Sequence, residues 1–311
     1  MVYTITFNPS VDYVMNLDKA LDFGKTNRSV SEYVAMGGKG INVSLVLSEL
    51  NIKSTALSFV AGFTGDEIEK RLNKKGICTD FIKLNEGMSR INVKLKGETE
   101  TEINAAGPNI PERAIQTLLT KLNTLSDNDV LILAGSVPKS VSKDVYAKIL
   151  KSLSAKNIPC VVDATGELLL NTLSFNPFLI KPNKEELCAL FNTEIKSDEE
   201  IIFYANALRE RGAQNVLVSL GGDGALLVTN DNKIITGSSL SETPVNTVGA
   251  GDSMIAGFLY GYLTYNDYNE AMLYGLSCGA ATAVSKSLAT KELILKKYGE
   301  YKESSVLKII N

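Results

Sequence analysis

Short apolar and β-branched runs alternate with helix-like stretches along nearly the whole chain. "VYTITF" (2–7) is followed by a helical pattern over about Gly40 to Leu50, then by "TALSFVAG" (55–62) and a second helical pattern over about Asp66 to Lys75. Further on come "VLILAG" (130–135), "IPCVVDATG" (158–166), "FLIKPN" (178–183) and "NVLVSLGG" (215–222), each leading into a helix-like or turn segment. Apolar strands separated by helices are the rhythm of a mostly parallel, doubly wound α/β sheet. Two stretches depart from it: residues 27–36 ("NRSVSEYVAM") and 89–104 ("SRINVKLKGETETEIN") alternate apolar and polar positions with period two. They predict a small antiparallel β lid, built from insertions within about 10–36 and 87–107. No linker tract or internal repeat sets the insertions apart, so residues 1–311 are read as a single α/β domain.

Composition narrows the field. The chain has 311 residues, 44% of them apolar, and a net charge of −3, with lysines scattered among acids. This leaves no basic field for nucleic acid. The start "MVYTITFNPS" lacks a basic region and a cleavage site, and no apolar stretch approaches membrane-spanning length, so the expectation is a cytoplasmic protein with no membrane partner. Cys78, Cys160, Cys188 and Cys278 are far apart and form no CxxC pair, which points to buried free thiols. The chain contains no histidine. That removes every Ser-His-Asp or Cys-His nucleophile and every His-ligated metal, so a catalytic base would be a carboxylate.

Ligands of open α/β sheets bind outside the carboxyl ends of the strands. Those ends carry Asn8 and Asp12, Gly135 and Ser136, Asp163 and Gly166, Lys181, Asn183 and Glu186, and Ser219, Gly221, Gly222 and Gly224. Turns use such residues for dihedral and capping reasons alone, but their agreement across all the ends favours a crevice for a polar ligand. "AMGGKGINVSLVL" adds a glycine turn in which Gly38 and Lys39 lead into a helix through Asn42, a setting suited to a phosphate or a ring of hydroxyls.

"NTVGAGDS" (246–253) is the sharpest local signal. Glycines at 249 and 251 let a ligand approach the amides at a helix start, and Asp252 stands beside that anion hole. A capping carboxylate and the general base of a phosphoryl transfer both fit this spacing. The familiar nucleotide motifs fail: "FGKT" has Lys19 where a P-loop needs its first glycine, and "GAGDSM" ends in Met254 where a dinucleotide fingerprint needs glycine or alanine.

Taken in order, "TFNPSVD", "GGKGINVS", "GSVP", "DATG", "KPNKEEL", "SLGGDGA" and "GAGDSMIAGF" resemble the ribokinase-like (PfkB) family of sugar kinases over essentially the whole chain. The resemblance implies a ribokinase-like fold and an ATP- and Mg2+-dependent kinase. "TFNPSVDY", "SRINVKL" and "TEINAAGP" are most similar to the branch that phosphorylates fructose 1-phosphate on its 6-hydroxyl; the tagatose 6-phosphate branch ranks second. A non-catalytic sugar- or nucleotide-binding regulator stands as a contrasting possibility, which the intact Asp252 argues against. An NAD-dependent dehydrogenase is weaker, because the fingerprint fails.

The resemblance further implies site roles. Asp252 is the catalytic base, with Gly249, Ala250 and Gly251 supplying anion-hole amides. Asp12, Gly38, Lys39 and Asn42 hold the sugar, and Arg90 clamps its phosphate with Ser136. Arg28 reaches the phosphate of a neighbouring subunit if lids clasp in a homodimer. Lys181, Asn183, Ser219, Gly221 and Gly224 lie on the ATP side with Ser277 and Gly279, and Glu186 organises Mg2+ through water. A monovalent cation is a further expected adjunct. Ala106 stands where the family pattern carries proline, at the lid hinge.

Overall fold

The computed structural model describes residues 1–240 and 242–310. The strands are β1 (Val2–Thr6), β2 (Ser10–Leu17), β3 (Ser29–Gly37), β4 (Ser54–Ala61), β5 (Cys78–Thr79), β6 (Ile82–Leu84), β7 (Arg90–Lys96), β8 (Glu100–Asn104), β9 (Val130–Ala134), β10 (Cys160–Asp163), β11 (Leu179–Ile180), β12 (Asn215–Ser219), β13 (Ala225–Val228), β14 (Ile234–Gly237) and β15 (Leu307–Ile310). The helices are α1 (Lys39–Glu49), α2 (Gly62–Lys74), α3 (Glu112–Leu122), α4 (Val145–Ser152), α5 (Gly166–Leu170), α6 (Lys184–Phe191), α7 (Asp198–Glu210), α8 (Ala250–Tyr265), α9 (Tyr268–Ala283) and α10 (Lys291–Glu303).

The large sheet runs β15-β14-β13-β12-β11-β10-β9-β1-β4-β5, with β6 also paired to β4. From β5 to β12 every pairing is parallel, and β13, β14 and β15 add an antiparallel edge. Strands such as β9, "VLILA", are buried at every position, as a parallel strand covered by helices on both faces requires. One face packs on α3, α4, α6 and α7 through residues such as Ile115, Leu118, Ile149, Leu187 and Leu208. The other packs on α1, α8, α9 and α10 through Val43, Leu47, Ile255, Phe258, Met272 and Ile294. β1 connects through α1 to β4 on one side while β9 lies on its other side. That reversal of direction opens a crevice at the carboxyl ends of β1 and β9.

A second sheet has the order β3-β2-β7-β8. Its two outer pairs are antiparallel, and β2 and β7 between them run parallel. The parallel pair follows from connectivity: β2 and β7 are separated by β3, α1, β4, α2, β5 and β6, a connection long enough for a crossover. α2 starts at Gly62, four residues before the helix expected at Asp66, because the turn after β4 passes directly into it. The cysteines are not all buried as expected. Cys160 and Cys278 are, but Cys78 is exposed on β5, which forms an edge of the large sheet. Among the described residues no helix is long and apolar enough to cross a membrane.

Candidate active site

The carboxyl ends of the strands, the second sheet and the first turns of α1 and α8 enclose one cleft of about 1740 Å3. Drug-sized pockets span roughly 300–1000 Å3, so there is room for two ligands end to end. On one side the second sheet presents Ser10, Asp12, Arg90, Asn92 and Lys94; on the other stand Asn183, Ser219, Gly221, Gly224 and Gly279. Lys39, Asn42, Lys181 and the Gly249–Asp252 turn lie between them.

α8 begins at Gly249, whose φ of 83° is a left-handed conformation that glycine adopts without strain. Asp252 sits in the first helical turn, 6% exposed, and its Oδ2 accepts a hydrogen bond from Asn42 Nδ2 at 2.8 Å. Beneath it Asp163, at the end of β10, is 1% exposed. Lys39 Nζ lies 3.1 Å from Asp163 Oδ2, and Lys181 Nζ lies 3.6 Å from Oδ1. One carboxylate thus holds a lysine from α1 and a lysine from the end of β11. A Cβ on Gly251 would stand 3.1 Å from Lys181 Nζ, so the bare backbone there is what admits the ammonium to the start of α8.

The charges work on one another. Burial, and then the negative charge of Asp163, push Asp252 up to about 6, while Asn42, Lys39 and Lys181 act in the opposite direction. For Asp163, burial favours the neutral acid, but the two lysines outweigh it and hold the carboxyl below its usual range. Burial likewise disfavours the Lys39 ammonium, and the carboxylates of Asp163, Asp252 and Glu186 outweigh it, so Lys39 is held more firmly protonated than an ordinary lysine. A buried carboxylate raised to about 6 and set next to fixed cations has the environment that a general base needs.

On the second sheet Asp12 is fixed from three sides. Ser10 Oγ donates to its Oδ1 at 2.6 Å, Asn92 Nδ2 donates to the same oxygen at 3.0 Å, and Lys94 Nζ lies 3.5 Å from Oδ2. Gly37 faces this carboxylate, and a Cβ there would stand 2.6 and 2.7 Å from its two oxygens. Arg90, which lines the cleft, donates from Nε to Asn8 O at 3.1 Å, and its two terminal nitrogens have no partner among the described residues. Asn8 Nδ2 in turn donates to Ala106 O at 2.9 Å, so residue 106 ties the chain after β8 to the β1–β2 connection through its carbonyl.

Asn183 and Glu186 form a reciprocal cap on α6: Glu186 N donates to Asn183 Oδ1 at 2.7 Å, and Asn183 N donates to Glu186 Oε2 at 2.9 Å. Glu186 Oε1 has no protein partner among the described residues and faces the cleft. No cluster of three or more acidic or thiol side chains suited to a metal occurs among the described residues. A fully protein-ligated cage therefore does not fit. Mg2+ carried on nucleotide phosphates would fit, and Glu186 is the carboxylate placed to hold it through water.

Three expected contacts, those of Ser136, Ser277 and the Ala250 amide, fall elsewhere. Ser136 is exposed and off the cleft; what borders Lys39 at this turn is the backbone of Gly135, where a Cβ would stand 3.7 Å from Lys39 Cβ. Ser277 is fully buried in α9, and its hydroxyl donates to Leu273 O at 2.6 Å, so it has nothing to offer a cofactor. The Ala250 amide donates to Thr247 O at 3.2 Å, whereas among the described residues those of Gly249, Gly251 and Asp252 have no hydrogen-bond acceptor. Arg28 is exposed just before β3, outside the cleft of its own chain. It precedes Ala35, the strand partner of Asp12, by a span of roughly 23 Å in extended chain. Three participants carry no role in the sequence reading: Asp163, Asn92 and Lys94. The sequence marks Asp163 as an acid ending a buried strand, but its partners at 39 and 181 meet only in the fold.

A raised, buried carboxylate beside free amides and two lysines, in a cleft with room for two polar ligands, suits an enzyme that transfers an anionic group to a hydroxyl. Residues 5–294 match the pfkB family carbohydrate kinase profile. The chain belongs to that family of carbohydrate kinases, which in general use ATP and Mg2+. It is 43% identical over 304 residues to 1-phosphofructokinase of Bacillus subtilis, covering 97% of this chain and 99% of the relative. It is 36% identical over 289 residues to D-tagatose-1-phosphate kinase of Bacillus licheniformis, covering 93% and 94%. Among solved structures, phosphofructokinase-2 of Escherichia coli in complex with fructose-6-phosphate matches with a TM-score of 0.89 at 26% identity, over 97% of this chain and 99% of that one. That protein has also been solved in complex with potassium and in a tetrameric inhibited form.

Proposed function

We propose that the chain transfers the terminal phosphoryl group of ATP to the 6-hydroxyl of fructose 1-phosphate, giving fructose 1,6-bisphosphate. The observation that carries this reading is Asp252: buried, oriented by Asn42, and raised to about 6 at the start of α8 between Lys39 and Lys181. The substrate assignment rests on the 43% identity to a 1-phosphofructokinase over nearly the whole of both chains.

Asp252 takes the proton from the 6-hydroxyl as that oxygen attacks. The amides of Gly251 and Asp252, the dipole of α8 and the two lysines stabilise the charge on the group in transfer. Asp12 accepts from sugar hydroxyls, and Gly38 and Asn42 border the same site. Arg90 grips the sugar's phosphate with its two free nitrogens. Asn183, Ser219, Gly221, Gly224 and Gly279 form the nucleotide side. Mg2+ supplies charge neutralisation of the phosphates, with Glu186 holding its waters. A monovalent cation is a further adjunct, by analogy with the potassium complex of the Escherichia coli relative.

On the second sheet Val34, Tyr13, Val93 and Ile103 form one cross-strand row, in which Val34 packs on a core cluster and Tyr13 and Ile103 are exposed. An apolar row of this kind suits a lid-to-lid homodimer, in which Arg28 reaches the partner's site. Asp252→Asn tests the central assignment: turnover falls by a factor of about 1000 or more while ATP binding stays measurable. Substantial residual turnover removes Asp252 as the base. A second reading, phosphorylation of tagatose 1-phosphate, follows from the 36% identical relative and keeps every role above.

A further inference from the structure

α10 buries a lysine that the phosphoryl-transfer site does not use. Lys297 is 2% exposed, and its ammonium is held by Glu242 Oε1 at 2.6 Å and Glu300 Oε2 at 2.7 Å. Glu300 lies one turn further along the same helix. Glu242 belongs to the connection from β14 to α8, whose residues Leu240, Glu242, Pro244 and Asn246 line the cleft immediately before Gly249.

Tyr301, 1% exposed and one turn beyond Lys297 on the same face, accepts a hydrogen bond from the Leu240 amide at 3.4 Å. At the other end of the connection the amides of Val245 and Asn246 both donate to Ala283 O, at 2.7 and 3.0 Å. The described residues between β14 and α8 form no helix or strand. Besides Ser238 N, which donates to Val306 O beside β14, and the packing of Leu240 on the core, they are held by the side chains of α10 and the last turn of α9. A buried ammonium keeps its carboxylate partners because nothing else can replace its lost hydration.

We propose that Lys297, with Tyr301, is a positioning residue that latches this connection to α10 and so sets the wall of the cleft's nucleotide side. The inference rests on the reading of that side as the ATP site. The latch stands away from Asp12 and Arg90, so it governs the affinity for ATP and not that for the sugar phosphate.

The test compares Glu242→Ala, which leaves Lys297 paired with Glu300, against Lys297→Met, Tyr301→Phe and Glu242→Gln. Loss of the charge-assisted bond in Glu242→Ala raises the KM for ATP by about tenfold. The KM for fructose 1-phosphate and the melting temperature stay close to wild type. Lys297→Met reproduces the split, Tyr301→Phe gives a smaller one, and Glu242→Gln, which keeps an acceptor, recovers part of the loss. An ATP KM within twofold of wild type in Glu242→Ala overturns the latch, as does a joint rise of both KM values with a lowered melting temperature. If the wild type turns over no sugar phosphate, the proposed reaction fails, yet calorimetric titration with Mg-ATP still reads the latch. About tenfold weaker binding in Glu242→Ala supports it; unchanged binding, or a wild type that binds no ATP, overturns it.

Discussion

Replacing Asp252 by asparagine should make the protein more stable at neutral pH while removing its activity. An ordinary aspartate loses its proton at 3.8, whereas burial and Asp163 hold the proton on Asp252 up to about 6. Each unit is worth about 1.4 kcal/mol, so above both values the ionised carboxylate costs the fold about 3 kcal/mol. The sign follows from proton counting. Between 3.8 and about 6 the folded chain binds more protons than the unfolded one, so stability falls as pH rises through that window. Asparagine retains an oxygen for Asn42 Nδ2 and carries no charge. Urea unfolding followed by circular dichroism should therefore give the variant an advantage of up to about 3 kcal/mol at pH 7.5, shrinking steadily towards pH 4.5. A variant less stable than wild type at pH 7.5, or an advantage that does not change with pH, would refute the electrostatic account of this carboxylate.

Other changes separate the two halves of the cleft. Gly37→Ala puts a methyl group on the Asp12 carboxylate; the KM for the sugar phosphate should rise at least about tenfold with little change in the KM for ATP, as initial rates on each substrate would reveal. Gly251→Ala crowds the Lys181 ammonium away from the start of α8; kcat should fall by roughly 10- to 100-fold in a folded protein with wild-type circular dichroism. Asp163→Asn leaves Lys39 and Lys181 facing each other without their shared counter-ion; breaking a buried pair of this kind costs about 3–5 kcal/mol, readable as a lowered urea midpoint.

The sequence carried the large sheet well, because a parallel strand covered on both faces is a continuous apolar run and "VLILA" or "CVVD" can hardly be anything else. It also carried the start of α8, where two glycines and an acid within four positions are a local signal. Relations between distant segments were beyond it. Asp163 is visible only as a strand-ending acid until β10 and β11 lie side by side and α1 brings Lys39 across. The parallel pairing of β2 and β7 likewise depends on where two separate hairpins meet, and alternation along each strand is the same for either direction. Ser277 shows the converse error: a hydroxyl on a small-residue helix near the nucleotide side reads as a contact, yet in the fold it bonds back to its own helix at Leu273.

The central claim is a phosphoryl transfer to a ketohexose 1-phosphate, and a substrate panel tests it most directly. ADP release with Mg2+ and ATP would be compared for fructose 1-phosphate, tagatose 1-phosphate, tagatose 6-phosphate, fructose 6-phosphate and fructose at matched concentrations. The account predicts the highest kcat/KM for fructose 1-phosphate. Preference for either tagatose phosphate or for fructose 6-phosphate would contradict the substrate assignment while leaving the Asp252 chemistry in place, and ATP binding without turnover of any of the five would contradict the claim itself.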